Sequence, residues 1–186
     1  ARLDANTCFS EATVVLTLET NASFALLQSR VHEVWAKFFS SSMKDDMRYT
    51  PTSCFEPFPA PIEWDAEHEV LEEIGERYYE YRAQLMIEND EGLTTTYNRF
   101  HDPEESDPGI LKLRDLHEEM DRAVLAAYGW EDIDTTCEWQ LLYELPEGSR
   151  KKEPWRWQWP EEVHDEVLSR LVALNATRAA EEKAKK

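Results

Sequence analysis

The sequence predicts a mainly α-helical protein with a small β element, an α+β fold. Four segments carry apolar residues at three- and four-residue spacing, which is typical of amphipathic helices. One short segment is rich in β-branched residues and alternates apolar with polar positions, which predicts a strand. The predicted order is a strand–helix N-terminal piece, a proline-rich strap, and then a three-helix C-terminal bundle.

The N-terminal piece begins with "TVVLTLET", residues 13–20, which is the predicted strand. The segment "NASFALLQSRVHEVWAKFFS", residues 21–40, predicts one amphipathic helix that Asn21 or Ser23 can cap. The polar segment "SSSMKDDMR", residues 40–48, then breaks the apolar pattern and predicts a loop.

The proline-rich strap is "RYTPTSCFEPFPAP", residues 48–61, with four prolines and two phenylalanines. Proline removes backbone donors, so the strap is expected to form neither a helix nor a central strand. It also has few backbone states to lose on ordering. We therefore expect a fixed, extended connector whose phenylalanine rings pack on the surface below it.

Three helices are predicted after the strap, each with one apolar stripe. Gly92 and Gly129 are expected to end the first two, and Pro160 to begin the third. Because each stripe is too narrow to stabilise a lone helix, the three are expected to pack on one another. The predicted ranges are 64–89, 110–128 and 160–178.

The segments between and after these helices are assigned from their polar and proline-rich composition. Residues 94–109 predict a polar loop, and residues 137–145 a short strand or an extended arm. Residues 146–160 predict a loop with three tryptophans, which either fill the core or anchor an interface. The last eleven residues, 176–186, predict a solvated or frayed tail.

The charge is strongly acidic and unevenly distributed. The formal net charge is -19, which argues against nonspecific binding of nucleic acid by the whole chain. Residues 1–62 hold 5 Lys and Arg against 7 Asp and Glu, whereas residues 63–186 hold the remaining 15 against 32. Contact with phosphates is therefore expected in the first third, and the acidic remainder is expected to face solvent or a basic partner.

Other features of the sequence predict a cytoplasmic protein without a membrane span. No apolar run reaches 18 residues, and no basic start followed by an apolar stretch indicates a signal peptide. The three cysteines are few, odd in number and far apart, which favours free thiols in a reducing compartment. The first residue, Ala1, suggests a fragment of a longer protein.

No complete catalytic or metal-binding motif is present in the sequence. The segment "HEEMD", residues 117–121, lacks the second histidine of a zinc-protease helix, so we interpret it as an ordinary exposed helix face. The glycine-rich phosphate loop and the nucleophile elbow are absent. The five histidines are separated in sequence, and each is interpreted as a surface or a satisfied side chain.

An ordered series of residues resembles one family of proteins. The helix pattern "LxSxxHxxW" is followed by a short loop and then by "RYxxxxxFxxFPxP". This series resembles the end of the target-recognition region in large bacterial adenine-specific DNA methyltransferases of restriction–modification and phage-defence systems, the MmeI-type enzymes and their relatives. Residues 93–130 and 159–182 also resemble the C-terminal part of that family. The matching positions are Leu27, Ser29, His32, Trp35, Arg48, Tyr49, Phe55, Phe58, Pro59 and Pro61.

The resemblance implies a C-terminal portion of such an enzyme without its catalytic core. The family's Asn-Pro-Pro-Tyr type motif and its glycine-containing cofactor motif are both absent from this sequence. S-adenosylmethionine would then bind on an N-terminal methyltransferase core outside this chain, and double-stranded DNA would be bound by the complete enzyme. The implied domains are residues 1–62, the end of the target-recognition region with the proline-rich strap, and residues 63–186, an acidic helical region.

The resemblance also implies candidate DNA contacts at Ser42, Lys44, Arg48 and Tyr49. Lysine and arginine attract phosphates, and arginine also recognises guanine. Alternatively, Arg48 forms a surface ion pair with Asp45 or Asp46. The strap itself either contacts DNA or has a purely structural role. A second function stays open for the whole chain, an acidic helical protein-interaction module that docks to another subunit of a defence complex.

Overall fold

Six α-helices and two β-hairpins form the part of the chain that the computed structural model describes, residues 8, 14–43, 46–62, 64, 68–146, 148–149 and 152–185. This confirms the prediction of a mainly α-helical fold with a small β element. The helices are α1 Asn21–Gln28, α2 Arg30–Phe39, α3 Glu69–Glu88, α4 Leu93–Phe100, α5 Pro108–Ala127 and α6 Glu161–Ala184. The strands are β1 Ser41–Met43, β2 Asp46–Arg48, β3 Glu138–Leu141 and β4 Trp155–Gln158.

The single helix predicted over residues 21–40 is wrong, because it breaks at Ser29 into α1 and α2. Ser29 has an extended backbone, with φ of -67° and ψ of 157°. Its hydroxyl donates to the Leu26 carbonyl at 2.7 Å and accepts from the His32 N–H at 3.5 Å. Serine competes with the helix for backbone groups in this way, so it favours caps over helix interiors. The break leaves the N–H groups of the first turn of α2 free for other partners.

Helix α1 lies against α3 through a close backbone contact. A Cβ atom on Gly75 would lie 2.2 Å from the carbonyl oxygen of Asn21, so only glycine allows this approach. The Glu72 carboxylate accepts from the backbone N–H of Asn21 at 2.9 Å and of Ala22 at 2.7 Å. A carboxylate is favoured at this end of α1 because unpaired N–H groups carry partial positive charge there.

Two connected hydrophobic cores lie between the helices. The first core surrounds Trp35 and Trp159 and also receives Phe58 from the strap. The second core lies between α3 and α5, around Tyr78 and Phe100. The first core combines residues before and after Ile62, so the packing crosses the domain boundary predicted there. The boundary itself stays a prediction.

The three-helix packing predicted for the C-terminal region holds only for α3 and α5, which pack directly on each other. Helix α6 packs mainly on α2, and its buried Val167 and Leu171 meet the end of α5 in the first core. The predicted tail also differs, because α6 continues to Ala184. Its last turns are rich in alanine, glutamate and lysine, which are strong helix formers.

The strap is attached to both α2 and α6. Its first part, Pro51–Phe55, forms one π-helical turn, so the expectation of no helical structure is wrong for these residues. Proline stands at the first position of the turn, where its missing N–H costs no hydrogen bond. The carbonyls of Pro57 and Ala60 accept from Asn175 and Arg178 of α6, each at 2.5 Å. The packing of Phe58 and these bonds agree with the structural role predicted for the strap.

Two further loop predictions are wrong because short elements form there. Residues 40–48 contain the antiparallel β1–β2 hairpin, and residues 155–158 form β4, which pairs with β3 from Glu138↔Gln158 to Leu141↔Trp155. The β3 strand agrees with the short strand predicted within residues 137–145. Three- and four-residue strands give too few alternating positions for a period-two pattern to stand out.

The strand predicted over residues 13–20 is wrong for its described part. Residues 14–20 are irregular and have no strand partner among the described residues. Their alternation is nevertheless physical, because Leu16 and Leu18 are half-buried beside α1 while the residues between them are exposed. The alternation of apolar and polar residues therefore reflects one covered face of an extended segment. A β-strand also needs a hydrogen-bonded neighbouring strand.

Helix α4 replaces the first part of the loop predicted over residues 94–109, up to Phe100. Its N-cap is Gly92, which was expected to end α3. The end of α3 instead lies at Glu88, and Asp90 adopts the left-handed conformation with φ of 51°. The end predicted for α5 is confirmed, because Gly129 has φ of 74° directly after it. The buried Phe100 and Thr96 explain why a polar sequence folds into a helix here, since tertiary packing overrides weak propensity.

Leu116→Ala is expected to lower the free energy of unfolding by about 2–5 kcal/mol, because Leu116 lies in the second core. The measurement is urea denaturation followed by circular dichroism. Leu111→Ala on the same helix is the control, since that side chain is 40% exposed, and its loss should stay well below that of Leu116→Ala. A loss below about 0.5 kcal/mol for Leu116→Ala would contradict the packing of α5 on α3.

Candidate functional site

A cleft of about 330 Å³ lies beside the β1–β2 hairpin, between α2, α4, α5 and β4. Four aromatic side chains contribute to its lining, and they come from three different parts of the chain. Between them stand amide, imidazole and guanidinium groups. The aromatic residues are Tyr49, Tyr97, Phe100 and Trp157, and the polar ones include Gln28, Arg30, His32, His101, His117, Arg156 and Gln158.

The β1–β2 hairpin contains two of the four residues that the sequence predicts as DNA contacts, and a third directly follows it. Ser42 lies in β1 opposite Met47, and Arg48 ends β2 opposite Ser41. The Arg48 side chain is exposed, and it forms no ion pair with any other described side chain. Tyr49 follows β2 and extends into the cleft. The fourth residue, Lys44, lies outside the described residues. Ser42 and Arg48 therefore lie in the two strands of the hairpin, and Tyr49 lies next to it.

Tyr49 and His32 form one wall of the cleft. The Tyr49 hydroxyl lies 3.0 Å from His32 Nε2, and the Phe58 ring meets the imidazole edge-to-face at 4.6 Å between ring centres. Burial raises the pKa of Tyr49 to about 12 and lowers the pKa of His32 to about 4. His32 is 5% exposed, and its Nδ1 has no hydrogen-bond partner among the described residues. A buried polar atom of this kind calls for a ligand or a water molecule.

His101 lies in the same cleft and is also held neutral. Its Nδ1 accepts from the backbone N–H of Trp157 at 3.2 Å, which leaves the imidazole proton on Nε2. Burial, together with the charge of Arg156, lowers the pKa of His101 to about 3. His32 and His101 line the same cleft although 69 positions separate them, so no local pattern could predict that they share a site.

The floor of the cleft is a buried cluster of Arg30, His117 and Asp121. The Asp121 carboxylate accepts from the Arg30 backbone N–H at 2.8 Å and from Arg30 Nη1 at 2.5 Å. Arg30 Nη1 also lies 3.0 Å from His117 Nδ1, and Arg30 Nη2 donates to the Trp157 carbonyl at 3.1 Å. Guanidinium is only a donor, so His117 Nδ1 accepts in its contact with Arg30, and the same Nδ1 lies 3.4 Å from the Asp121 carboxylate.

Asp121 is fully buried and ionised because its partners outweigh the cost of burial. Burial alone would raise the pKa of Asp121, but the Arg30 charge and the hydrogen bonds hold that pKa below its usual range. The interpretation of residues 117–121 as an exposed helix face is therefore wrong. His117 and Asp121 stand four positions apart, on one face of α5, and that face meets α2 rather than solvent. The partner, Arg30, is 91 positions away from Asp121.

The mouth of the cleft carries positive charge. Arg156 is half-buried, and its Nη1 donates to the Trp155 carbonyl at 2.9 Å without an ion pair to any described residue. The nearby carboxylate of Glu33 is paired with Lys37 at 2.6 Å. Arg48 and Arg156 are therefore cationic groups near the cleft that no described carboxylate neutralises.

The three tryptophans of the predicted loop have different environments. Trp159 is fully buried in the first core, which agrees with the core-filling interpretation. Trp157 is half-buried, lines the cleft and donates from Nε1 to Glu118 at 3.0 Å. Trp155 is half-buried and donates from Nε1 to Glu153 at 2.9 Å. Of the three tryptophans that could anchor an interface, one therefore lies in the core and two lie in β4.

The described part of the chain contains neither a metal-binding cluster nor a membrane-spanning helix. No three or more His, Cys, Asp and Glu side chains in that part are grouped so that they could hold a metal ion. None of its helices combines the length and the apolar composition that crossing a bilayer requires.

Comparison with known proteins finds a match for the first third of the chain. Residues 1–62 match the family model described as MmeI, target recognition domain. The match confirms the resemblance to MmeI-type restriction–modification proteins and indicates a DNA-recognition role in such a system. It ends at Ile62, directly after the strap, so the resemblance of residues 63–186 stays a prediction. No curated protein and no solved structure matches the chain.

The Arg30–Asp121 pair is expected to show strong coupling in a double-mutant cycle. Arg30→Met and Asp121→Leu should each lower the free energy of unfolding by about 3–5 kcal/mol, because each leaves a buried charge unpaired. The double variant should lose less than the sum, since no unpaired charge remains. Urea denaturation of the four proteins measures the coupling.

The matched control for this cycle is the exposed pair of Arg170 and Asp132, whose Nη2 and Oδ2 lie 2.5 Å apart. Exposed pairs couple by about 1 kcal/mol or less, because water and salt screen them. Equal coupling of the two pairs, or additive effects at Arg30 and Asp121, would contradict the role assigned to the buried cluster.

The protein is expected to lose stability as the pH falls from about 6.5 to 5. The pKa values of His32 and His101 are lowered in the folded state from 6.5, so the unfolded chain takes up protons first. Each such histidine lowers the free energy of unfolding by up to about 1.4 kcal/mol per pH unit in this window. Urea denaturation at several pH values gives the slope. His32→Gln should reduce the slope, and an unchanged slope would contradict the burial of a neutral His32.

Proposed function

We propose that the chain is the DNA-recognition and scaffold part of a type II restriction–modification-like DNA methyltransferase that modifies adenine at N6. The observation that carries the proposal is the match of residues 1–62 to a target recognition domain. The hairpin and the cleft beside it lie within or next to this range. The chain takes no catalytic step in this proposal, and its role is to hold DNA in a fixed position relative to the methyltransferase core.

In this proposal the hairpin approaches the DNA. Lys44 and Arg48 contact phosphates, or Arg48 recognises a guanine edge, and the Ser42 hydroxyl bonds a phosphate oxygen. Tyr49 is held by His32 and so fixes the position of the hairpin above the cleft. Asp45 and Asp46 would repel phosphates unless they pair locally or accept from a cytosine amino group.

The rest of the chain supplies the scaffold. Two hydrogen bonds from α6 and the buried Phe58 fix the strap, which in turn fixes the hairpin that precedes it. Most of the acidic charge lies after residue 62, so it is separated in sequence from the hairpin. The chain would therefore present DNA with its least acidic part.

In this proposal S-adenosylmethionine binds on the methyltransferase core, elsewhere in the protein. A nucleotide-type cofactor commonly binds at a glycine-rich turn between a parallel strand and a helix. The strands of the described part form two antiparallel hairpins, and neither supplies such a turn. A bacterial enzyme that methylates chromosomal DNA would act in the cytoplasm.

A second candidate function is a protein-interaction module that docks to another subunit of a defence complex. An open groove of about 670 Å³ between the end of α3 and the start of α4 favours it. Ile87, which is 74% exposed, and Leu93, which is 40% exposed, stand in this groove. Exposed apolar patches of this kind mark protein contacts more often than DNA contacts.

The complete protein with its methyltransferase core is expected to lose phosphate contacts when Lys44 and Arg48 are both replaced by alanine. Loss of two contacts should reduce the slope of log affinity against log salt concentration by about 2. If Arg48 recognises a base instead, methylation should spread to near-cognate sites while the slope changes less. DNA affinity at several salt concentrations and mapping of methylated sites measure both quantities.

The matched control replaces Lys112 and Arg122 by alanine, which removes the same charge from exposed positions on α5. Its slope should stay close to that of the unmodified protein. A Lys44 and Arg48 variant with unchanged slope and unchanged site preference would place the hairpin away from DNA and favour the interaction module.

A further inference from the structure

The cleft beside the hairpin has the size and the walls to hold one flat ring system. Its volume of about 330 Å³ lies at the lower end of small-molecule pockets in proteins. Tyr49, Tyr97 and Trp157 are half-buried, so each ring is partly open to a bound group, and Phe100 closes the cleft below. Aromatic rings of this kind stack on nucleobases, each of which has a π face.

The cleft contains uncharged polar groups, both donors and acceptors, beside three charged lining residues, Arg30, Glu33 and Arg156. Gln28 uses its Oε1 to accept from Arg82 at 3.0 Å, and Gln158 uses its Nε2 to donate to Gln140 at 2.5 Å. An amide donor on Gln28 and an amide acceptor on Gln158 thus stay available. His32 adds the buried Nδ1 that has no described partner. The charge of Arg30 is neutralised inside the floor by Asp121.

The positive charge near the cleft is carried by two arginines, of which Arg156 belongs to the lining itself and Arg48 does not. Arg48 lies next to Tyr49 in the chain and Arg156 next to Trp157, so each arginine neighbours one of the open rings. A nucleotide combines a neutral aromatic base with an anionic phosphate. Phosphates attract lysine and arginine, while base edges are recognised by amide and imidazole groups.

We infer that the cleft binds a single nucleobase of DNA held along the hairpin, with the adjoining phosphates against Arg48 and Arg156. The inference rests on the proposed function and adds a specific subsite to it. Tyr49 and Trp157 stack on the base, and Gln28, His32 and Gln158 bond its polar edge. An aromatic side chain of a peptide would fill the same space but leave these buried polar groups unpaired, which costs free energy.

The test follows the indole N–H signal of Trp157 by nuclear magnetic resonance while ligands are added to the 186-residue chain. The four deoxynucleoside monophosphates are compared with deoxyribose 5-phosphate, which lacks the base. A single-stranded oligonucleotide is compared with the same strand carrying abasic sites. We expect the signal to shift with the ligands that carry bases and to stay unchanged with the others.

Variants test whether the change in the Trp157 signal comes from binding in the cleft. Tyr49→Ala should weaken the binding at least about fivefold, because it removes one stacking ring. Gln158→Ala is a second variant that keeps every aromatic ring. It should weaken the binding of some of the four nucleotides more than that of the others. Tyr143→Ala is the control, since that ring is 61% exposed and does not line the cleft. Thermal denaturation shows whether each variant is folded, and the unmodified chain alone already decides the main outcome.

Several results would overturn the inference. Equal shifts with deoxyribose 5-phosphate would assign the binding to phosphate alone. Stronger binding of N-acetyltyrosinamide than of any nucleotide would assign the cleft to a peptide. A shift with free nucleotides and none with oligonucleotides would assign it to free nucleotides.

The proposed function is measured separately, by the salt dependence of duplex binding in the complete protein. Duplex binding that depends on Lys44 and Arg48, with no base-dependent shift of Trp157, would remove the base subsite and leave the DNA-recognition function standing. Absence of duplex binding would remove the function and, with it, the inference.

Discussion

The fold depends most on the ion pair between Arg30 and Asp121. Removing two charges from water costs several kcal/mol per ion, and only a set of well-aligned hydrogen bonds offsets that cost. Asp121 obtains such a set because α2 begins at Arg30 and offers a free backbone N–H beside the guanidinium. The same guanidinium contacts His117 and the carbonyl of Trp157. One interaction thus joins the N-terminal helices, α5 and the second hairpin, and it forms the floor of the cleft.

The helix break at Ser29 is the local feature that makes this pair possible. In a continuous helix the Arg30 N–H would bond the carbonyl four positions earlier and could not meet Asp121. Ser29 interrupts the helix with its own hydroxyl, so the backbone donor becomes available at the buried end of α2. The family pattern that this sequence resembles includes both Ser29, which lies at the helix break, and His32, which lies in the cleft wall. Their spacing in that pattern follows from these two roles.

The sequence predicted those features that depend on neighbours within one or two helical turns. The apolar stripes of α3, α5 and α6, the proline before α6 and the glycine after α5 are of this kind. The cleft could not be predicted, because it joins side chains such as His32 and His101 that only the tertiary fold brings together. The buried Asp121 was missed for the same reason, since a carboxylate on an amphipathic helix normally faces water. For Tyr49 the resemblance implied a DNA contact, which stays a prediction, and it gave no sign of the contact with His32.

The net charge of -19 limits how this chain could take part in DNA binding. At physiological salt, charges further than about 8 Å from a phosphate are largely screened, so only acidic side chains close to the bound DNA, such as Glu33 in the cleft lining, would oppose its binding strongly. Affinity at long range would have to come from other parts of the protein. What the chain can supply is short-range position, since the strap is bonded to α6 and the cleft is built on a buried ion pair. A cleft that combines aromatic rings, amide groups and few unpaired charges is suited to discriminate between ligands rather than to collect them.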